Sequence, residues 1–213
     1  MITEESYIDY LSKLLKGDRV GCREYVNKFI KEGINVRELY LNLFQRSLYD
    51  VGTLWETNKI SVAIEHLCTS ITESLITLSY PLIFSAEHTG KKAVITCTPG
   101  EFHQIGARMV ADYFEMYGWD GYFIGAETPE SDLIKFIEEK NPDVLAISMS
   151  VYFHLAELTE LVIKLNHNFP NLEILLGGQG FRWGGDKMFR AIKNVHIIHS
   201  LNDLEKRLMQ NGL

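Results

Sequence analysis

The protein has 213 residues, of which 46% are apolar and 23% charged, as is typical of a folded chain with one large or two small domains. Its formal net charge of −7, without a cluster of Lys and Arg, argues against direct binding of nucleic acid. The acidic N-terminus is not followed by an apolar segment, so no signal peptide is expected. The longest apolar stretch, residues 70–84, contains Glu73 and is too short to span a membrane. Cys22, Cys68 and Cys97 lie far apart, which predicts buried, reduced thiols. We therefore expect a cytoplasmic protein.

The first 88 residues are predicted to form helices. Residues suited to cap a helix, or to end or interrupt one, recur through this part of the chain: Thr3, Gly17, Asp18, Gly33, Asn35, Gly52 and Ser61. Apolar residues lie between them, many at spacings of three and four: Val20, Tyr25, Val26, Phe29 and Ile30; Leu41, Phe44, Leu48 and Val51; Ile64, Leu67, Ile71, Leu75, Leu78 and Leu82. Four helices with short connections predict a four-helix bundle over residues 1–88.

After a short polar linker, residues 87–90, the pattern changes. Five short apolar runs alternate with helical segments, and they cover residues 93–97, 121–124, 144–148, 174–176 and 196–198. Such alternation predicts a doubly wound, flavodoxin-like parallel sheet of five strands over residues 90–213. The expected fold class is therefore α/β with an all-α N-terminal domain.

A histidine, His103, stands on the loop after the first predicted strand, where ligands bind in open α/β sheets. Glu101 could accept a hydrogen bond from one ring nitrogen of His103 and leave the other nitrogen to bind a metal. Gly106, in the first turn of the next helix, would let a bulky ligand approach the backbone. The alternative is that His103 faces solvent and Glu101 complements the helix N-terminus.

Two further loops lie at the same predicted edge of the sheet. Ser148 and Ser150 follow the third strand, and their hydroxyls could bind a buried heterocycle or simply the neighbouring backbone. Gly177 and Gly178 follow the fourth strand and could let a flat ligand lie on the backbone, or form a structural turn.

These three loops together resemble the cobalamin-binding domain, whose pattern is Asp-x-His-x-x-Gly, then Ser-x-Leu, then Gly-Gly. The matching residues here are Glu101, His103, Gly106, Ser148, Gly177 and Gly178. The resemblance covers residues 90–213 and implies cobalamin as the cofactor, with His103 as the lower axial ligand of cobalt and Glu101 orienting it. Glu101 replaces the usual aspartate, which predicts a looser hydrogen bond to His103, and Ser150 replaces the usual leucine.

A second motif lies in the helical half of the chain. Trp55, nine residues and then Glu65-His66 resemble the Trp-x(9)-Glu-His signature of adenosylcobalamin-dependent photoreceptors, the light-sensing MerR-type regulators. The resemblance implies that the helices cap the upper face of the corrin. Trp55 would pack over the adenosyl group and Glu65 would accept hydrogen bonds from its ribose, while His66 would add a polar contact or serve as an upper ligand. If the resemblance is set aside, the pattern predicts that Trp55 is a core residue at a helix end and that Glu65 and His66 are a solvated pair.

Two features depart from those photoreceptors. Glu56 stands where the best-understood ones carry a histidine after the tryptophan. The helix-turn-helix DNA-binding domain is also expected to be missing, because the predicted helices begin almost at residue 1.

The resemblances predict a stand-alone light sensor and not an enzyme. Its cofactor would be adenosylcobalamin, with methylcobalamin and hydroxocobalamin as alternatives, and light would change its homo-oligomeric assembly or its binding to a partner protein, either a regulator or an enzyme. The main alternative is a corrinoid methyl carrier of a methyltransferase system. A third is a flavodoxin-like interaction domain without a cofactor.

Overall fold

The computed structural model describes residues 1–210 and divides the chain into two compact units, Met1–Ser85 and Ala86–Leu213. Within the described residues, no helix combines the length and the apolar character needed to cross a membrane.

The first unit is helical, as predicted. Its α-helices are α1 (Glu4–Leu15), α2 (Arg19–Lys31), α3 (Val36–Leu39), α4 (Arg46–Glu56), α5 (Val62–Ile76) and α6 (Tyr80–Ile83). A π-helical segment, Tyr40–Gln45, joins α3 to α4, and a 3₁₀ turn, Thr77–Ser79, joins α5 to α6. The predicted N-caps are confirmed, because each of their side chains accepts a bond from a backbone N–H of the first turn: Thr3, Asp18, Asn35 and Ser61.

The third helical segment differs from its prediction in two ways. Gly52 does not interrupt it, since α4 continues to Glu56. The buried face also differs from the predicted one, although its buried residues recur at the helical spacing of three and four. The residues buried along this segment are Leu39, Tyr40, Leu43, Phe44, Ser47 and Val51, whereas the predicted Leu41 and Leu48 are only half-buried.

Other predicted core positions lie at the surface. Val20, in the first turn of α2, is exposed, and Leu82 is exposed in α6 after the 3₁₀ turn has broken the helical stripe. Along α5 the buried residues are Cys68, Ile71, Thr72, Leu75 and Ile76. The expectation of buried, reduced cysteines is confirmed for Cys22, Cys68 and Cys97. Burial raises the pKa of each thiol, to about 12 for Cys97, which keeps it protonated near neutral pH.

The second unit is built on five strands, β1 (Lys92–Cys97), β2 (Asp120–Gly125), β3 (Val144–Ser148), β4 (Glu173–Gly177) and β5 (Val195–Ile198). Its helices are α7 (Ile105–Met116), α8 (Glu130–Lys140), α9 (Leu155–Asn168), α10 (Asp186–Phe189) and α11 (Leu201–Gln210). All strands pair in parallel, in the order β2-β1-β3-β4-β5. This is the predicted flavodoxin-like topology, in which the strand order reverses between β1 and β3.

Helices pack against this sheet to close its core. Residues of α8 and α9, among them Leu133, Ile137, Leu158 and Leu161, form one buried cluster with strand residues such as Val94. Helix α7 packs against β1 and β2, and α11 packs against α7 and β5. Because β1 and β3 are adjacent, the loops at their C-terminal ends start side by side at the switch point.

Candidate functional site

The register of the sheet brings the three predicted loops together. Cys97 at the end of β1 pairs with Ser148 at the end of β3, and Ser148 pairs with Gly177 at the end of β4. Since parallel strands end at one edge, the loops that follow start side by side. Residues about 50 and about 30 positions apart in the sequence are therefore neighbours at this edge, as the loop motifs predicted.

Thr98, the first residue after β1, joins the first two loops at their base. Its backbone N–H and its hydroxyl both donate to the carbonyl of Ser148, at 2.9 and 3.1 Å, and it is fully buried. Its own carbonyl accepts a bond from the N–H of Glu101 at 3.0 Å. Thr98 thus fixes where the glutamate leaves the sheet.

The Glu101 carboxylate is buried and accepts hydrogen bonds on both oxygens. Oε1 accepts from the backbone N–H of His103 at 2.9 Å and lies 2.5 Å from its ring Nδ1. Oε2 accepts from the backbone N–H groups of Ser150 and Val151, at 2.9 and 2.8 Å. Burial alone would raise the pKa of Glu101, but the bonds from the His103 side chain and from the backbone N–H groups outweigh it and lower the pKa to about 2.

The His103 side chain is 52% exposed, in contrast to the buried carboxylate that holds it. The longer glutamate does not loosen the expected hydrogen bond, which is short. When Nδ1 donates to a carboxylate, the neutral ring carries its lone pair on Nε2, the arrangement in which protein histidines bind metals. The pair has the donor chemistry of a metal ligand with its orienting group.

The two serines bind protein backbone. Ser148 presents its carbonyl to Thr98, while the N–H of Ser150 donates to Glu101. The hydroxyl of Ser150 donates to the carbonyl of His103 at 3.4 Å. For Ser150 the structure therefore shows the predicted alternative, a hydroxyl that bonds neighbouring backbone. This bond is a further contact between the two loops.

Protein packing leaves little or no room for side chains at the glycines at the end of β4 and just after it. Gly178 has φ +104°, and a Cβ there would lie 2.3 Å from the carbonyl oxygen of Met149. A Cβ at Gly180 would lie 2.9 Å from the same atom, and one at Gly177 would lie 3.1 Å from the carbonyl oxygen of Ile198. The loop after β3 thus fills the space that a side chain at Gly178 would need. Protein packing alone therefore explains why a glycine stands here, and no ligand contact is required.

Gly106 shows the opposite environment. It lies in the first turn of α7, and among residues 1–210 no heavy atom outside its local helix backbone is within 4 Å of the position its Cβ would take. This open space beside the histidine loop leaves room for the ligand that the sequence analysis predicts there.

Large aromatic side chains project from each of the three loops. Phe102 after β1 is 72% exposed, Phe153 after β3 is 89% exposed and Trp183 after β4 is 78% exposed. Apolar rings of this size usually mark a surface that a ligand or partner covers when they are grouped. The sequence analysis did not name them, although each follows a predicted strand by a few residues.

In the first unit, Trp55 and Glu65 lie on either side of one helix–helix turn. Trp55 is the penultimate residue of α4 and is 43% exposed, so it is not the core residue that the alternative supposed. Glu65, in the first turn of α5, accepts from the Thr69 hydroxyl at 2.9 Å, and its other oxygen lies 2.5 Å from Nδ1 of the exposed His66. The glutamate is therefore oriented by its own helix.

The sequence analysis missed Thr98, Val151 and Met149 as residues that shape the site. A hydroxyl residue directly after an apolar strand, as at Thr98, is the signal that could have identified it. Val151 contributes a backbone N–H and Met149 a carbonyl, which any residue type provides, so the sequence carried no signal for them.

The B12 binding domain family matches residues 91–199, and a second B12 binding domain family matches residues 9–78. The chain belongs to the B12-binding domain family. Family membership supports binding of cobalamin and confirms the resemblance drawn from the loop motifs.

Two curated relatives come from Myxococcus xanthus. The chain is 26% identical to the HTH-type transcriptional repressor CarA over 127 residues, or 58% of this chain and 43% of that protein. It is 26% identical to the HTH-type transcriptional repressor CarH over 137 residues, or 63% of this chain and 45% of that protein. The chain thus matches less than half the length of either relative.

A solved structure shares the fold. The monomethylamine corrinoid protein of Methanosarcina barkeri superimposes with a TM-score of 0.82 at 14% identity, covering 95% of this chain and 96% of that one. The predicted fold class, an all-α N-terminal region followed by a five-stranded parallel sheet, is confirmed.

The residues at the edge of the sheet fit a cobalt corrin. His103 offers an oriented imidazole, and Gly106, three residues later, leaves open space. Phe102 on the same loop and Phe153 on the loop after β3 expose apolar rings. Imidazole nitrogen is a common ligand for transition metals such as cobalt.

Gly106→Leu tests this fit. Leucine favours a helix over glycine by about 0.8 kcal/mol, so the variant without cofactor should be at least as stable as the wild type. A leucine side chain in the space that a bulky ligand needs should weaken binding of hydroxocobalamin by about tenfold or more. Thermal unfolding and absorbance titration measure the two effects. Unchanged affinity in a stable variant would show that the cofactor does not approach Gly106.

Proposed function

We propose that the protein is a light-responsive regulatory protein that binds adenosylcobalamin and does not itself catalyse a reaction. The observation that carries this proposal is that Trp55 is exposed and that Glu65 is oriented by its own helix, at the sequence spacing of the photoreceptor signature. The similarity to the two repressors, CarA and CarH, supports it.

The residues of the sheet unit would hold the lower side of the cofactor. His103 would bind cobalt through Nε2, with Glu101 holding the ring through Nδ1. Gly106 would give the corrin access to the backbone. Ser148, Ser150, Gly177 and Gly178 would shape the cleft between the strand ends, through the contacts they make with Thr98, Glu101 and Met149.

The residues of the helical unit would contact the upper side. Trp55 offers a broad apolar plate with one N–H donor, which suits packing over an adenosyl group. Glu65 offers acceptors to ribose hydroxyls, and His66 lies exposed next to it. Residues 1–88 would thus serve as the cap.

Bound adenosylcobalamin would supply a cobalt–carbon bond that green or blue light cleaves. Trp55 and Glu65 would then lose the group that they contact in the dark. A signal requires such a differential contact between two states, and these side chains provide it. The output would be a change of homo-oligomeric assembly or of affinity for a protein partner.

Trp55→Ala tests the role of the tryptophan. Loss of an aromatic contact worth about 1.5 kcal/mol should weaken adenosylcobalamin binding by about tenfold. Hydroxocobalamin, which lacks the adenosyl group, should bind almost as before. Titration of both cobalamins measures the difference. Trp183→Ala, which removes an exposed tryptophan from the other unit, is the matched control and should leave the preference for adenosylcobalamin intact.

The functional test compares the protein loaded with adenosylcobalamin in the dark and after green light by gel filtration. We expect a change of elution volume that Trp55→Ala reduces. A spectrum that changes without any change of assembly or partner binding would reject the light-sensing role.

A corrinoid methyl carrier is the alternative. Glu56 favours it, because the best-understood photoreceptors have a histidine after the tryptophan and this chain does not. Reduction to the cobalt(I) form and methyl transfer from a methyltransferase, without a response to light, would support this alternative.

A further inference from the structure

The loop after β2 contacts both residues that flank the segment Glu101–His103. Gly100, directly before this segment, donates its backbone N–H to Oε1 of Glu127 at 3.0 Å. Gln104, directly after it, places its side-chain Oε1 3.2 Å from the position that a Cβ of Gly125 would take. The sequence analysis assigned only the loops after β1, β3 and β4 to the site. The loop after β2 is therefore a fourth element that contacts the histidine loop.

The loops after β1 and β2 are also joined at their base. The hydroxyl of Thr96 in β1 donates to the carbonyl of Gly125, the last residue of β2, at 3.1 Å. The pairing of the two strands shifts by one residue between Ile95 and Thr96. The hydroxyl of Thr128 then closes the turn by donating to the carbonyl of Ile124 at 3.2 Å. The loop after β2 thus starts from a fixed point beside the histidine loop.

Glu127 has a backbone conformation that glutamate rarely adopts. Its φ of +55° lies in the left-handed region, where Asn and Asp are the non-glycine residues found most often. Such a conformation costs free energy, persists only where the surrounding structure imposes it, and is most frequent at functional sites. The carboxylate of this strained residue is the group that binds Gly100. The strain and the hydrogen bond therefore occur in the same residue.

Gly100 is also enclosed on a second side. Its φ is +79°, and a Cβ there would lie 3.1 Å from Cε1 and 3.2 Å from Nδ1 of His154, in the 3₁₀ turn after β3. The ring of His154 thus lies against the glycine whose N–H binds Glu127. Glycine has the widest backbone freedom of any residue, so these two contacts are what hold the chain still directly before Glu101.

We propose that Glu127 is a positioning residue for the histidine loop. Its carboxylate fixes the backbone of Gly100, and Gly100 sets where Glu101 and His103 lie. Without the acceptor, Gly100 would sample more of its allowed backbone conformations, and the segment that carries the imidazole would move with it. The effect on a bound cobalt rests on the proposed function, because it assumes that His103 is the ligand. The link from Glu127 to Gly100 does not.

Exchange of the Gly100 amide with water, measured by NMR in the protein without cofactor, tests this link. Glu127→Ala keeps the Cβ, and hence the cost of the left-handed backbone, but removes the acceptor. It should speed exchange at Gly100 by about fivefold, as expected for the loss of one exposed hydrogen bond. Glu127→Gln keeps an acceptor oxygen at the same length and should restore most of the protection. The Glu101 amide, which donates to the Thr98 carbonyl, should stay protected in both variants.

Glu130→Ala is the matched control. Glu130 is a carboxylate three residues further on, and it binds Lys164 at 2.9 Å instead of the histidine loop. This variant should leave exchange at Gly100 unchanged. Unchanged exchange at Gly100 in Glu127→Ala would overturn the proposal. Equal acceleration in Glu127→Gln or in Glu130→Ala would also overturn it, since the effect would then not come from the acceptor at residue 127.

Binding of hydroxocobalamin tests the consequence for the ligand. Glu127→Ala should weaken binding by about fivefold, less than the 10- to 100-fold typical of direct orienting partners, because Glu127 acts through Gly100. Glu127→Gln should bind almost as the wild type does, and thermal unfolding of both cofactor-free variants should be close to that of the wild type. If the wild type does not retain cobalamin, the proposed function fails while the result on Gly100 still stands. If Glu127→Ala frees the Gly100 amide but binds cobalamin as tightly as the wild type, Glu127 does not position the ligand and the proposal is overturned.

Discussion

Replacing His103 with alanine is expected to weaken binding of hydroxocobalamin by about 100-fold or more, because loss of a metal ligand costs more than the 10- to 100-fold typical of its orienting partners. The ring is half-exposed and its loop is held by backbone bonds to Glu101 and Thr98, so the fold should be unaffected. Absorbance titration measures the affinity, and circular dichroism confirms the fold.

His199→Ala is the matched control for that experiment. His199 follows β5 at the same edge of the sheet, and its Nε2 lies 3.3 Å from a carboxylate oxygen of Asp186. It is thus a second loop histidine paired with a carboxylate. If His199→Ala weakens binding as much as His103→Ala does, the assignment of the metal ligand to His103 is wrong.

Gly178→Ala should cause a large loss of stability. The backbone at this residue has φ +104°, and the new Cβ would lie 2.3 Å from the carbonyl oxygen of Met149. Strain and clash together should cost about 3 kcal/mol or more, which corresponds to a fall in Tm of roughly 10 °C. Thermal unfolding of the cofactor-free protein measures it.

Gly184→Ala separates the strain from the clash. Gly184 also has a φ above +100°, at +115°, but among the described residues no heavy atom lies within 4 Å of its Cβ position. The variant should therefore lose clearly less stability than Gly178→Ala. Equal losses would show that Met149 does not fill the space above Gly178.

Much of the fold could be predicted because local signals agreed with the global pattern. The four capping residues placed the starts of the main helical segments of the first unit, and the alternation of strands and helices placed the five strands and α7, α8 and α9 of the second. The separate short helices α6 and α10 and the last helix, α11, were not predicted. The buried face of the third helical segment could not be predicted, because apolar residues occupy two adjacent stripes of this helix and only tertiary packing decides which of them is buried. Leu41 and Leu48 were assigned to the core for this reason.

The candidate site was predicted in part. Glu101 and His103 could be paired from the sequence because they are two residues apart on a loop of known position. The bonds from Ser150 and Val151 could not, since they join backbone N–H groups to a side chain about 50 residues away. The role of Gly178 was open for the same reason, as the atom that excludes its side chain is a backbone oxygen.

The central claim is that a protein histidine binds the cobalt. The most direct test is the electron paramagnetic resonance spectrum of the cobalt(II) form of the loaded protein, prepared with ¹⁵N-labelled histidine and unlabelled cobalamin. If His103 is the axial ligand, its nuclear spin changes from that of ¹⁴N to that of ¹⁵N, and the triplet splitting of each cobalt line becomes a doublet that His103→Ala abolishes. A triplet that persists in the labelled protein would mean that the cofactor's own base is bound to cobalt, and the assignment of His103 would be contradicted.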